Sequence, residues 1–257
     1  MENQKSKLKI ILIIVIVVIL LGILGVFAYV QVSEENCTGN TINVNSNSET
    51  NNKTNVKSNN EKNNTNVFPT LDDITTYKPI IYLYPQETTE LSVKLGNPEK
   101  ITCSYPKYED EWNVIAEPDG TLTYVETQRE LYALYWEGKD APELEMTEGF
   151  VVKGEDTIKF LEEKLEILGL NEREAEEFII YWLPKMQNNK YNYIRFATME
   201  EINEYMPLEF SVEPDSIIRV LMQYKAIDEY IEIPEQKLET PKREGFVVVE
   251  WGGSEIK

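Results

Sequence analysis

The sequence predicts an α+β fold: an antiparallel, β-rich, sandwich-like domain with one substantial helix, preceded by a single transmembrane helix and a disordered tether. Three observations lead to this expectation. Six short segments between residues 79 and 136 are rich in β-branched and aromatic residues or alternate apolar with polar ones, which is typical of strands. Apolar residues then recur every three or four positions between residues 158 and 168, as in an amphipathic helix. An uncharged apolar run and an Asn-rich stretch occupy the first 73 residues.

Residues 10–30 form an uncharged run dominated by Ile, Leu and Val. A helix of that length spans roughly 31 Å, which matches the hydrocarbon core of a bilayer. Three lysines precede the run and two glutamates follow it. Because basic flanks stay on the cytoplasmic side, residues 1–9 are expected inside the cell and everything after residue 30 outside, in a single-pass cell-membrane protein.

A cleaved signal peptide is the alternative interpretation of the same run. The apolar region of a signal peptide normally covers about 7–15 residues before a small-residue cleavage site. Val26-Phe27-Ala28 offers such a site, so the sequence leaves cleavage of the anchor open. The run is longer than a signal peptide needs, and we therefore expect an uncleaved anchor.

Residues 31–73 are dominated by Asn, Thr, Ser and Lys. A segment with so few apolar side chains cannot offset the entropy lost on ordering, so we expect a disordered tether. Cys37 in this segment could pair with Cys103 of the following domain, because the outside of a membrane permits disulfides. Nothing in the sequence requires that disulfide, and two unpaired thiols are the expectation.

The domain of residues 74–257 has the apolar and aromatic content for a core of its own. Asp119-Gly120 separates two of its strand-like segments and predicts a hairpin turn. The predicted strands lie at residues 79–84, 91–95, 101–105, 112–116, 122–125, 131–136, 193–197, 217–224 and 245–251.

The helix predicted over residues 156–168 ends at Gly169, and Leu170 is placed for the apolar contact that follows a glycine C-cap. Asn171 and Glu174 have the spacing of a capping box, which predicts the start of a second, shorter helix.

Residues 178–183 (FIIYWL) fit either type of element. Helical spacing would place three of their apolar side chains on one face. Their β-branched and aromatic content, together with Pro184 directly after them, favours a strand. We therefore predict a strand here, paired through residues 187–189 with the strand at 193–197.

The chain carries 45 acidic and 25 basic residues and no histidine. Its negative field repels nucleic acid, so no nucleic-acid partner is expected. The absence of histidine excludes the Ser-His-Asp triad, the Cys-His pair and the HExxH zinc site. No phosphate-binding glycine loop follows a predicted strand, and the acidic clusters at residues 72–73 and 109–111 lack the spacing of a calcium loop. No cofactor and no metal are expected.

Two acids adjoin tryptophans in predicted strands: Glu137 follows Trp136, and Glu250 precedes Trp251. A tryptophan can stack on a sugar, and two acids about 5–9.5 Å apart suffice for glycoside hydrolysis, so these four residues are the candidate ligand-binding site. No catalytic residue is assigned, because acid–aromatic neighbours arise by chance in so acidic a domain. The alternative is that both tryptophans are core residues whose acidic neighbours point to solvent on the other strand face.

Residues 78–85 (KPIIYLYP) and 233–253 (IPEQKLETPKREGFVVVEWGG) resemble the opening and closing segments of an uncharacterised family of membrane-anchored extracytoplasmic bacterial proteins. The resemblance covers nearly all of the domain and none of the tether. It implies an anchored domain outside the membrane and implies nothing about a reaction or ligand.

The sequence is compatible with two functions. The first is a membrane-tethered, extracytoplasmic binding or interaction module whose partner is a cell-surface polymer, a peptide or another protein. The second is a histidine-free carboxylate enzyme such as a glycoside hydrolase. The missing catalytic motif and the long tether favour the binding module.

Overall fold

A seven-stranded sheet forms the middle layer of the structure, a computed structural model that describes residues 74–256. Its strands are β1 (Tyr77–Tyr84), β3 (Ile101–Tyr105), β7 (Leu134–Gly138), β8 (Phe150–Lys153), β9 (Tyr191–Phe196), β11 (Ser216–Ile227) and β12 (Val247–Glu255). They lie side by side in the order β3-β7-β1-β12-β11-β9-β8. The neighbours β11 and β12 are parallel, and the other neighbouring pairs are antiparallel.

The described residues also form a five-stranded antiparallel sheet, three α-helices and two short 3₁₀ helices, Pro98–Lys100 and Gly154–Asp156. The strands of this second sheet are β2 (Thr89–Leu95), β4 (Trp112–Ala116), β5 (Leu122–Tyr124), β6 (Arg129–Leu131) and β10 (Leu208–Phe210). Their order is β10-β2-β4-β5-β6. The helices are α1 (Thr157–Ile167), α2 (Glu172–Met186) and α3 (Met199–Tyr205).

The seven-stranded sheet is covered on both faces, so the domain has two cores. Along β1, Ile80 and Tyr82 point into a core shared with α1 and α2, which we call the helix-side core. Ile81 and Leu83 point into a core shared with the five-stranded sheet, which we call the sheet-side core. Burial on both faces explains why β1 and β12 read as nearly continuous apolar runs. The predicted α+β class and its β-rich character are confirmed.

The predicted glycine cap at the end of α1 is confirmed. Gly169 has φ +86°, in the left-handed region. Its N–H donates to the carbonyl of Glu166, and the N–H of Leu170 donates to the carbonyl of Leu165, both at 3.0 Å. These two bonds define a Schellman motif, which satisfies carbonyls that a helix end leaves free.

The predicted capping box at the start of α2 is also confirmed. The Asn171 side chain accepts from the Glu174 N–H at 2.9 Å, and the Glu174 carboxylate accepts from the Asn171 N–H at 2.8 Å. The same carboxylate is fully buried and takes two further bonds from the guanidinium of Arg243 at 2.7 and 2.9 Å. The cap therefore also holds the segment that leads into β12.

The strand predicted at residues 178–183 is wrong, because these residues lie inside α2. Phe178, Trp182 and Met186 recur every four positions and are fully buried in the helix-side core, so tertiary packing outweighs local β propensity. Pro184 falls near the helix end, where its missing N–H leaves only the carbonyl of Ile180 without a helical partner. Ile180 is 65% exposed, so water can reach that carbonyl. Consequently α2 is the longer helix, and the predicted hairpin to β9 does not form.

The single strand predicted at residues 131–136 is two strands in different sheets. Leu131 ends β6 in the five-stranded sheet, whereas Leu134 begins β7 in the seven-stranded sheet. Tyr132 and Ala133 lie between them, where the chain passes from one sheet to the other. This crossing point borders the groove described below.

The expected antiparallel arrangement does not hold for β11 and β12, which pair in parallel from Ser216↔Val247 to Tyr224↔Glu255. Parallel neighbours need a long crossover, and residues 228–246 supply it without a helix. The crossover is held by the Arg243 bonds and by Gln236, whose buried amide bonds both the N–H and the carbonyl of Phe196.

The predictions for the anchor at residues 10–30, for the tether at residues 31–73 and for Cys37 lie outside the described residues. Within residues 74–256, no helix combines the length and the apolar character that crossing a membrane requires.

Candidate functional site

Trp136 and Glu250, two of the four candidate residues, lie together inside the sheet-side core. Both are 0% exposed, and the indole N–H of Trp136 donates to Glu250 Oε1 at 2.9 Å. The other oxygen, Oε2, accepts from Arg219 Nε at 2.6 Å. Arg219 Nη2 also lies 2.6 Å from Oε2 but is not aligned for a hydrogen bond. Nη1 of the same guanidinium donates to the Asn203 side chain at 2.7 Å.

This buried ion pair is a structural group, because neither partner can reach a ligand. The side chains of Arg219 and Glu250 are 1% and 0% exposed. A buried charge is stable only when it is paired and hydrogen-bonded. The expectation that Glu250 points to solvent is therefore wrong: both faces of β12 are covered, and its partners come from β7 and β11.

Trp251 lies in the helix-side core and is also 0% exposed. Its indole N–H donates to the Tyr82 hydroxyl at 3.1 Å, and that hydroxyl donates to Glu177 Oε2 at 2.6 Å. Burial, followed by the bond to the Glu177 carboxylate, raises the pKa of Tyr82 well above its ordinary value of 10. Trp251 thus anchors α2 to the sheet, and its ring is not available to stack on a sugar.

Glu137 is the one candidate that borders open space. It is half-buried and lines a groove of about 550 Å³ beside α2. We call this the tyrosine groove. Its tyrosines come from β3, from the crossing between β6 and β7, from β7 and from α2. The lining residues are Lys78, Ile80, Tyr105, Glu130, Leu131, Tyr132, Ala133, Tyr135, Glu137 and Tyr181.

Two tyrosines of this groove are open to solvent: Tyr105 is 49% exposed and Tyr132 is 48% exposed. The guanidinium of Arg173 lies 5.2 Å from the centre of the Tyr132 ring, which fixes one face of that ring by a cation–π contact. A groove of about 380 Å³ continues from the same place, because it shares Tyr105 and Leu131 with the tyrosine groove. The aromatic surface is therefore elongated.

Tyr181 forms the α2 side of the groove and has two cationic neighbours. The ammonium of Lys185 lies 4.9 Å from its ring centre and that of Lys78 lies 5.7 Å away. Burial, and then the nearby charge of Glu137, raises the pKa of Tyr181 to about 12, so its hydroxyl stays protonated at neutral pH. Lys78 itself has φ +60°, a left-handed conformation that is unusual for a non-glycine residue.

The sequence did not reveal the tyrosine groove, for two local reasons. A single strand over residues 131–136 puts Tyr132 and Tyr135 on opposite faces, whereas the break between β6 and β7 brings both to one groove. Tyr181 was assigned to a strand and lies on a helix. The only usable signal was a high tyrosine count, 15 in the chain.

In the described part of the chain, no group of three or more Asp, Glu, Cys or His side chains is arranged to hold a metal ion. Residues 72–73 lie outside that part. The groove therefore offers rings, hydroxyls, two carboxylates and one ammonium as its binding chemistry.

A protein of Butyrivibrio fibrisolvens, described as "Uncharacterized protein in bglA 3'region", is 45% identical to the chain over 64 residues. The match covers 24% of this chain and 65% of that protein, so the chain spans less than two thirds of the relative's length. No protein-family model and no solved structure matches the chain.

Proposed function

We propose that this protein is an extracytoplasmic binding module, held at the cell membrane by residues 10–30 and separated from it by the tether, and that it binds a cell-surface saccharide polymer. The observation that carries this proposal is the tyrosine groove, which is lined by four tyrosines and continues into a second groove that adds Tyr124. The apolar run, its flanking charges and the resemblance to anchored bacterial proteins support the location.

The chemistry of the groove suits a saccharide. Exposed rings such as Tyr105 and Tyr132 offer flat apolar faces with a polar edge, which match the apolar face and hydroxyl rim of a sugar ring. Glu130, Glu137 and Lys78 supply acceptors and a donor beside those rings. A surface built mainly of aromatic and apolar side chains with a few polar groups is the usual composition of a ligand site.

The full-length protein in lipid nanodiscs tests this proposal by sedimentation with insoluble peptidoglycan, chitin and cellulose. One of these polymers should retain the protein, and Tyr105→Ala or Tyr132→Ala should weaken retention about tenfold, because truncating an aromatic anchor costs about 1–2 kcal/mol. Tyr230→Ala is the matched control, since Tyr230 is 61% exposed and lies outside the groove. Retention of both groove variants at the wild-type level would refute the proposal.

A glycoside hydrolase is the second candidate, because Glu130 and Glu137 both line the tyrosine groove. Hydrolysis needs two carboxylates about 5–9.5 Å apart on either side of the scissile bond. The same incubations distinguish the two functions by an assay for new reducing ends. A steady formation of new reducing ends by the wild type that is lost in both Glu130→Gln and Glu137→Gln would establish the enzyme. Binding without release supports the module.

A further inference from the structure

Strand β8 is an edge of the seven-stranded sheet, and within residues 74–256 one side of its backbone has no strand partner. It pairs with β9 in the register Phe150↔Ile194 and Val152↔Asn192. Within β9, Phe196 directs its N–H and carbonyl to the β8 side, where both meet the Gln236 amide. Alternate residues of a strand direct their backbone N–H and carbonyl groups to the same side. The backbone groups of Ile194 and Asn192 therefore also face β8.

It follows that Phe150 and Val152 form the bonds to β9, while Val151 and Lys153 turn their N–H groups outward. Gly149, two residues before Val151, confirms this direction. Its N–H donates to the carbonyl of Pro234 at 3.0 Å, and its carbonyl accepts from the Gln236 N–H at 3.3 Å. The crossover therefore occupies the edge at Gly149 in a parallel bridge, and among the described residues no bridge joins it to Val151.

A groove of about 680 Å³ lies along this open edge. All residues from Gly149 to Lys153 line it, α1 contributes Phe160, and the crossover contributes Tyr230 and Ile233. Tyr230 is 61% exposed, so its ring is open to a ligand in the groove. A groove between an edge strand and a helix is the arrangement that accepts an added peptide strand.

Three acids and three lysines line the groove, and the chain segments beside it add acids. Residues 228–235 (DEYIEIPE) hold four acids and no base. On the face of the sheet opposite α1, the Tyr193 hydroxyl donates to the backbone carbonyl of Met146, which lies in a segment (residues 143–148, ELEMTE) with three acids and no base. Of the three lysines that line the groove, two are paired: Lys153 with Glu155, and Lys164 with Glu163 and Glu235. This field opposes a second copy of a chain with net charge −20 and attracts a basic partner.

We propose that the β8 edge binds an extended peptide segment in which apolar residues alternate with lysine or arginine, by adding it as a strand beside Val151. Alternation sends the apolar side chains toward Phe150 and Phe160 on the helix side of the sheet, and the basic ones toward the opposite face, where Tyr230 packs against Tyr191. The proposal is independent of the tyrosine groove, which lies at the other end of the sheet.

The probe is the labelled peptide Ac-KVKVKVKV-NH2, titrated into the full-length protein in nanodiscs, with Ac-EVEVEVEV-NH2 as the charge control. The basic peptide should bind at least about tenfold tighter than the acidic one. Its binding should slow hydrogen exchange at the Val151 amide, while the amides of Phe150 and Val152 are protected with or without peptide. Equal binding of the two peptides, or no added protection at Val151, would overturn the proposal.

Val151→Pro removes the outward N–H and keeps the bonds to β9, because proline is tolerated on the open side of an edge strand. It should weaken peptide binding about tenfold, whereas Val151→Thr should bind as the wild type does. If Val151→Pro does not fold, N-methylated versions of the basic peptide test whether it binds by strand addition. Methylation at one alternate set of residues should abolish binding and methylation at the other set should not, and insensitivity to both would refute strand addition. A dimer in sedimentation without peptide, dispersed by Val151→Lys, would also refute it.

Discussion

The two cores on either side of the seven-stranded sheet each contain a tryptophan linked to a carboxylate, but only one of these carboxylates is sealed. In the sheet-side core, Glu250 is 0% exposed and is neutralised by Arg219. In the helix-side core, Trp251 is linked through Tyr82 to Glu177, whose side chain keeps 24% exposure at the surface of α2. The second sheet excludes water from Glu250, whereas Glu177 lies at the solvent-facing surface of α2.

This difference predicts how each core responds to damage. An unpaired charge in a water-free core has no alternative partner, so its removal or isolation is costly. A carboxylate at a helix surface can be replaced by water, so its loss costs about the net value of one hydrogen bond. Breaking each network in turn therefore tests whether the sheet-side ion pair is as isolated as the structure indicates.

The largest effect is expected for Glu250→Ala. It leaves the Arg219 guanidinium buried without a counter-charge and the Trp136 N–H without an acceptor, so unfolding free energy should fall by about 3–5 kcal/mol. Glu177→Ala is the matched control in the other core and should lose about 1 kcal/mol. Urea unfolding at pH 7 of a soluble fragment of residues 72–257 measures both. That fragment should fold alone, because both cores lie within residues 74–256.

A double variant sharpens this test. Replacing both charges by apolar residues, as in Arg219→Met with Glu250→Leu, removes the isolated charge and should recover most of the loss. Equal losses in Glu250→Ala and Glu177→Ala would mean that water reaches the sheet-side ion pair. Failure of the fragment to fold would mean that residues before 72 contribute to the domain.

A smaller effect is expected for Gly169→Val at the end of α1, on the helix side. Gly169 has φ +86°, and an added Cβ would lie 2.7 Å from the Pro241 side chain. The left-handed conformation alone costs a β-branched residue about 1–2 kcal/mol, so the unfolding free energy should fall by at least that amount. Glu163→Ala, at an exposed position of α1, should change it by less than about 0.5 kcal/mol. Equal unfolding free energies for Gly169→Val and Glu163→Ala would contradict the glycine cap at the end of α1.

Features encoded by neighbouring residues could be predicted from the sequence. The bounds of β3 and β4 agree residue for residue, and the cap at Gly169 and the box at Asn171 follow from short-range patterns that need no tertiary information. The strand prediction for residues 178–183 failed because their composition is compatible with both a strand and a helix, and only packing in the helix-side core decides between the two.

The candidate site could not be predicted, because its contacts join distant parts of the chain. The acid beside each tryptophan in sequence lies on the other face of its strand, so adjacency carried no information about contact. Trp136 instead meets Glu250, 114 residues away. The tyrosine groove likewise draws Tyr105, Tyr132 and Tyr181 from separate elements, and no spacing rule connects them.

The smallest effect at neutral pH, about 1 kcal/mol, is expected for Tyr82→Phe in the helix-side network, and its dependence on pH is the informative part. Burial and the Glu177 bond raise the folded-state pKa of Tyr82 above 10, so the folded protein keeps a proton that the unfolded chain loses above pH 10. The stabilisation is therefore fully present below pH 10 and falls by about 1.4 kcal/mol per pH unit as pH rises toward the folded-state pKa. Urea unfolding at intervals from pH 8 to pH 11 should show a slope above pH 10 that is shallower in Tyr82→Phe than in the wild type by about this amount, because other tyrosines with raised pKa values, such as Tyr84, Tyr181 and Tyr224, contribute equally to both proteins. Tyr230→Phe, at an exposed position, is the control and should keep the wild-type slope. If the plots of unfolding free energy against pH are parallel for all three proteins, water reaches the Tyr82 hydroxyl and the helix-side core is open as far as Trp251.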